Sequence, residues 1–478
     1  MKNIIKNTAF AVALIIAGAN ASAQSLTGYF MNNLTNTNIY NPAFNPHCKV
    51  YVSLYDIYVG AAETGFTIKD MVKKVPKQDK YVIDLDQIYS SLRKNNFLYA
   101  DQNIQLLNFG FRLGEGYVHA GLSLRAFEGV SFPKDLMKLK DGTYFDKEST
   151  IDLSGLDAKV NAFLQYSWGY SWEFSDKITF GAALKRLKGI GNVRTKKFDM
   201  VLTTDDDMYD LSLKTDIELQ IGSGADLQFA YNDKGMIDSV YANNIKDLDD
   251  MKTDDYKTLL NTKNGGWAID LGMTYKFDDR LQFAASITDL GGIKWKKYGK
   301  TIKQGGTFDF TGVDIAKYFS DLDSLGEVMK DSIAAFATPE DNSKGYTDFL
   351  NTKIYLSAEY KVNNVINLGM MFRGIWFSKK FHPSLTSSVN FRLGRATQIS
   401  ISQSFINRKA NVWGLGYSQQ LGPLQLYFIA DQFSPAFWAM NDGKTADKWI
   451  RNTNTFSFQT GMSIIIGRKK YYEKALFE

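Results

Sequence analysis

Residues 160–172 read VNAFLQYSWGYSW. Successive side chains on a strand point to opposite faces. One face of this stretch would carry Val160, Ala162, Leu164, Tyr166, Trp168, Tyr170 and Trp172, and the other Asn161, Phe163, Gln165, Ser167, Gly169 and Ser171. The same sorting returns in residues 178–184, 267–275, 281–287, 366–372 and 456–466. Across the six stretches the first face is apolar or aromatic at 29 of 30 positions and the second at 6 of 24. A helical period would mix the two sets. The stretches therefore predict strands with one oily face and one polar face rich in Gly and Ser.

A β-sandwich would give the same alternation, so connection lengths decide. Turn chemistry marks tight hairpins at 114–116, 175–177, 278–280, 362–364, 394–396 and 421–423. Between them lie longer connections at about 69–99, 127–156, 191–265, 291–349, 376–383, 407–410 and 433–454. Six hairpins, a first strand after Lys49 and a last one ending near Ile466 predict fourteen strands. The expected fold is all-β: a single antiparallel transmembrane barrel of about 14 strands, apolar outside and polar inside. Closure is required, because lipid cannot satisfy the hydrogen bonds of an open sheet edge. Tyr170, Trp172, Tyr275, Phe277, Tyr360, Trp376 and Phe377, near strand ends, are expected to form interfacial girdles.

Composition agrees. The chain has 478 residues, 14% of them aromatic, 22% charged and only 8 of them prolines, and its mean hydropathy of −0.25 is too polar for a bundle of membrane helices. An apolar content of 44% argues against disorder. One Cys and three His argue against a disulfide framework and a multi-thiolate or His-rich metal site, and no cofactor is implied.

Residues 1–23 read as a secretory signal. Lys2 and Lys6 precede the apolar run 9–19, and Ala21-Ser22-Ala23 is the small-residue cleavage site, between Ala23 and Gln24. Two lysines fewer leaves a net charge of +3, which predicts no nucleic-acid partner. Residues 24–47 are polar and Asn-rich and precede the first strand. The whole segment, in which Tyr40-Asn41-Pro42-Ala43-Phe44-Asn45-Pro46 carries the Asn-Pro turns, is read as a hatch folded into the barrel mouth, or as an ordered periplasmic lead-in. Residues 48–466 would be the barrel and 467–478 a periplasmic tail. In the longest connection, 192–204 and 211–221 alternate weakly and predict a hairpin extended beyond the membrane, with Asp205–Asp207 as its solvated tip. Helical spacing in 310–345 and in 81–94 predicts caps over the outer mouth.

Polar-face residues expected to line the lumen are Arg112, His119, Arg125, Asp270, Glu359, Arg373 and Arg392. They would form a solute path or an ion-paired filler. No GxSxG, HExxH or Walker sequence is present, and no residue is nominated as catalytic or metal-binding.

Asn41-Pro42-Ala43-Phe44-Asn45-Pro46 before the first strand and Ile287-Thr288-Asp289-Leu290-Gly291-Gly292-Ile293-Lys294-Trp295 at a strand exit resemble a family of uncharacterised outer-membrane barrels of the Bacteroidota, a domain of unknown function. The first element is also similar to the PorP/SprF proteins of the type IX secretion and gliding machinery. Fourteen strands with a lead-in look like the FadL and PorV barrels, in which the lead-in is a hatch. Many such barrels end on an aromatic residue, whereas here the charged segment 467–478 follows the last strand. The resemblance implies an outer-membrane location and the barrel fold, while the expectation of no enzyme activity rests on the missing catalytic motifs. The resemblance suggests a FadL-like channel or transporter for a hydrophobic or small solute. The alternative is a non-conducting barrel anchoring a surface or type IX secretion complex. Implied partners are outer-membrane lipid and either a hydrophobic ligand or a secretion or surface protein.

Overall fold

The computed structural model describes residues 26–63, 72–74, 81–141, 150–204, 211–231, 237–242, 263–310, 338–341, 345–377, 380–394, 396–406, 410–431 and 455–467. Fourteen strands close on themselves: β1 (Val50–Glu63), β2 (Asn95–Leu113), β3 (Gly116–Pro133), β4 (Asp157–Glu173), β5 (Ile178–Thr204), β6 (Gly265–Lys276), β7 (Leu281–Trp295), β8 (Lys353–Lys361), β9 (Ile366–Phe377), β10 (Lys380–Leu393), β11 (Thr397–Ile406), β12 (Ala410–Leu421), β13 (Leu424–Asp431) and β14 (Thr455–Ile466). Each pairs antiparallel with its chain neighbours, and β1 pairs with β14 from Val50↔Ile466 to Ala62↔Thr455. The barrel has no open edge.

All six predicted hairpins are present and share one end of the barrel with both chain ends of the wall. At one of them, Asp278 accepts from the backbone N–H groups of Arg280 and Leu281, both at 2.7 Å. These bonds to the carboxylate hold it below the usual Asp range. One connection differs from expectation. β9 and β10 pair as far as Phe377↔Lys380, so 376–383 is a hairpin with two linking residues.

The faces follow the sequence pattern. Trp168, Tyr170, Trp172, Trp267, Leu271, Leu368 and Met370 are exposed, while Asn161, Gln165, Ser171, Asp270 and Thr274 are buried inside. Apolar side chains in contact with water would be unfavourable, and a closed wall of this polarity is built for hydrocarbon. Among the expected girdle residues, Phe377 turns inward, 4% exposed against Phe97, Tyr99 and Phe127. Its neighbour Trp376 points out, 48% exposed, and adjacent strand residues cannot share a face.

β5 rises beyond the barrel and pairs with Leu211–Ser223, which pairs with Lys300–Phe310, which in turn pairs with Thr338–Asp341. The expected extended hairpin is thus part of a sheet. A helix, α1 (Leu85–Ser91), is capped by Asp84, which accepts from Gln87 N at 3.0 Å. Residues 1–25, 205–207, most of 310–345 and 468–478, which carry the expected signal segment, acidic tip, larger helical cap and tail, lie outside the described residues.

Candidate functional site: the occupied lumen

Residues 26–47 lie inside the barrel. The segment enters at the short-turn end, where Asn45 Nδ2 donates to Glu173 at 3.0 Å. Its other end reaches the far end of β13, where Leu26 N donates to Asp431 at 3.1 Å. In between it is tied to the wall by many neutral bonds. Thr27 Oγ1 meets Ser402 Oγ at 2.6 Å, Tyr29 Oη meets Ser357 Oγ at 2.8 Å and Thr35 Oγ1 meets Ser463 Oγ at 2.9 Å. Asn36 bonds Asp56 and the Tyr427 hydroxyl, and Gln425 Nε2 donates to Asn33 O at 2.8 Å. The polar inner face of the strands thus has a partner within the chain, as buried polar groups require.

Each residue read as hatch has a place in this packing. Tyr40 O accepts from Ser286 at 2.7 Å, and its hydroxyl donates to Gln459 at 3.3 Å. Asn41 turns the chain by accepting from Ala43 N at 2.9 Å, and its Nδ2 donates to the carbonyls of Met273 and Ala285. Pro42 lies against Gly181, and Asn41 against Gly272. A Cβ at either glycine would collide with the segment. Phe44 packs on Tyr29 at 5.4 Å, Asn45 also bonds Ser171, and Pro46 O accepts from Cys48 N at 2.8 Å. Tyr29 further stacks on wall residue Tyr355 at 5.7 Å. Residues 26–36, part of the segment read as a hatch, contribute as much as 40–46 do, although no motif singled out their individual contacts.

Above the segment the wall fills its own interior. Asp289 receives both Arg125 nitrogens at 2.8 and 3.1 Å and Lys185 at 2.8 Å. Lys185 also pairs with Asp270 at 2.6 Å, and Lys353 with Asp101 at 3.1 Å. Three cations and three carboxylates form one buried layer. Asp289 enters it through a bulge: the β6–β7 register shifts between Ile269 and Leu271, and Asp289 has φ +61°. Asp tolerates this left-handed backbone better than most residues. Its own N–H donates to Asp270 at 2.8 Å. Beyond this layer lie Phe163, Leu187, Ala268, Ile293, Trp295, Tyr346 and Leu350. A cavity of about 30 Å³ beside Arg125, Lys353 and His382 has room for little more than water.

All seven residues nominated for the lumen occupy inward positions, but they do not act together. Arg125 and Asp270 belong to the charge layer. Arg112 pairs with Glu173 at 3.0 Å near the short-turn rim. Glu359 accepts from Asn32 of the inner segment at 2.8 Å and lies within electrostatic reach of Arg392. Arg373 Nε donates to Ser384 at 3.3 Å, and His119 lies over Gly169. Asp101, Lys185, Asp289 and Lys353 were missed. Extending the alternation one residue past Leu184 would have placed Lys185 inside. Cys48 packs with Tyr51, Tyr117 and Ile465, its Sγ 3.4 Å from the Tyr117 hydroxyl.

Comparison with known proteins adds the following. Solved barrels with a similar chain course include the toluene transporter TbuX of Ralstonia pickettii, 8% identical, covering 90% of this chain and 93% of its own at a TM-score of 0.39. The toluene transporter TodX of Pseudomonas putida is 9% identical, with coverages of 94% and 96% and a TM-score of 0.39. A FadL homologue of Pseudomonas aeruginosa is 9% identical, with coverages of 94% and 99% and a TM-score of 0.42. No curated protein matches. Residues 42–431, from the Asn-Pro turn of the inner segment to the end of β13, match the family of unknown function DUF5723, and the chain belongs to that family.

Proposed function

We propose that the protein is an outer-membrane channel or transporter for a hydrophobic or small solute, held closed by residues 24–47 acting as a hatch. In this reading 1–23 is a removed signal peptide, 48–466 is the conducting barrel and 467–478 is a periplasmic tail. The observation that carries the reading is the lumen's occupant. A stretch of chain that is not part of the wall fills the space a solute would cross, and its own groups are neutral, bonding to wall hydroxyls, carboxamides and a few carboxylates that water can serve instead. Tyr29, Phe30 and Tyr40, with Phe44 beside them and Tyr355 on the wall, give a hydrophobic solute an apolar surface once the segment shifts. Arg112, His119, Arg125, Asp270, Glu359, Arg373 and Arg392 would then border the path.

The test is conductance in planar bilayers, comparing the full chain with one lacking residues 26–46. The expected result is a nearly silent full chain and stable current steps from the deletion, because water entering the emptied half of the lumen raises the dielectric around the charge layer above it and lets those side chains part. Silence from both would sink the channel.

One observation favours a second reading, a non-conducting barrel that anchors a surface or secretion complex. The sheet that continues β5 beyond the membrane offers an exposed platform. Under that reading the deletion stays silent and the platform is what binds partners.

A further inference from the structure

On β5 the outward apolar run Ile178, Phe180, Ala182, Leu184 ends, and the next outward residues are Arg186 and Lys188. On β7 the run ends at Leu290, and exposed Lys294 follows. On β6, between them, it ends at Trp267, followed by Gly265. The register aligns Lys188, Gly265 and Lys294 in one cross-strand row, and Arg186, Trp267 and Gly292 in the row below. The two glycines carry no side chain, so three cations border a shallow recess. The Arg186 guanidinium lies 4.9 Å from the Trp267 ring, and its Nη1 donates to Gly266 O at 3.3 Å. Lys188 Nζ is 6.0 Å from the Tyr166 ring.

Among the described residues no carboxylate pairs with any of the three. The nearby acids Asp270, Asp289 and Asp348 are buried on the inner side. On the twelve strands other than β5 and β7, the described lysines and arginines take inward positions. The outward positive charge of the wall is therefore gathered in one place, at the height where hydrocarbon gives way to headgroups. Single snorkelling side chains would be spread around the rim.

We propose that this recess binds the phosphate of a lipid headgroup in the surrounding outer leaflet. Arg186 offers a planar fork to phosphate oxygens, and its stacking on Trp267 fixes that fork. Lys188 and Lys294 add point charges from either side, and Trp267 sits at the interface where aromatic rings pack on lipid.

The test uses the full chain in phosphatidylcholine nanodiscs doped with phosphatidic acid, with retained lipid read by native mass spectrometry. The wild type should retain phosphatidic acid over phosphatidylcholine. The triple variant Arg186→Gln, Lys188→Gln, Lys294→Gln should lose roughly 100-fold of that preference. Lys196→Gln, on the exposed β5 extension where Lys196 pairs with Glu218, should keep it, and millimolar inorganic phosphate should not displace the lipid. The proposal is overturned if the triple variant retains phosphatidic acid as the wild type does, if Lys196→Gln loses as much, or if inorganic phosphate competes fully. Lys294→Gln alone, at an exposed position, should lose part of the preference and serves if the triple variant does not fold. Entry into nanodiscs reports on the barrel and lipid preference on the recess, so the two can fail separately.

Discussion

The two halves of the lumen are filled by different means. Toward the short turns the filler is residues 26–47, a piece of chain separate from the wall and tied to it largely by bonds between neutral groups. Toward the outer end the filler is the wall's own side chains, with Arg125, Lys185 and Lys353 locked to Asp101, Asp270 and Asp289. The first can leave without breaking a strand. The second can rearrange only by unpairing charges in a dry interior, which is costly. The comparison teaches that the segment is the movable part and the charge layer is part of the barrel's stability.

Asp289→Ala gives the largest expected effect. It strands Arg125 and leaves Lys185 with Asp270 alone, so the barrel should lose about 3–5 kcal/mol of stability, read as a lower urea midpoint in lipid. An unchanged midpoint would break the contrast, because the charges would then be solvated. Gly272→Val sharpens it from the other side. The added side chain collides with Asn41, at a packing cost of about 1–3 kcal/mol. Here the segment should yield before the wall does: residues 26–47 become open to protease while the gel mobility of the folded barrel is kept. Smaller still, Asn36→Ala removes one tie to Asp56 and Tyr427 and should weaken the segment's seating by about 1 kcal/mol, seen as faster protease cutting.

The smallest effect lies outside the lumen, in a turn. The bonds that lower the Asp278 pKa help the fold only while the carboxylate is ionised. Their contribution is present above the ordinary Asp range and is lost as pH falls through the lowered value. The small stability gap between wild type and Asp278→Ala should therefore close in strong acid. A gap that persists there would assign the effect to the turn's shape instead of its charge.

The wall was legible because period two and turn chemistry are local. Asn363 and Asp278 announce their hairpins through bonds to backbone N–H groups two and three residues on. Phe377 misled because an aromatic residue at a strand end does not state its face, and that face is set by register counted from inside the barrel. Asp289 was hidden by its bulge, since one extra residue reverses the alternation beyond it. Within the segment read as a hatch, the individual contacts of residues 26–36 were opaque for another reason. Their partners, such as Asp431, Ser402 and Gln398, lie hundreds of positions away, and no local pattern encodes a contact across the barrel. The Asn-Pro element was readable because its turn is made within itself, Asn41 with Ala43.

The most direct test places cysteines in a Cys48→Ser background and oxidises the protein in intact membranes. Thr27→Cys with Ser402→Cys joins side chains that meet at 2.6 Å inside the barrel. Thr27→Cys with Gln403→Cys moves one partner to the outer face of the same strand. The account predicts a cross-link in the first pair and none in the second. No cross-link in the first, or equal cross-linking in both, would mean that the segment does not occupy the lumen or that the wall's faces are assigned wrongly.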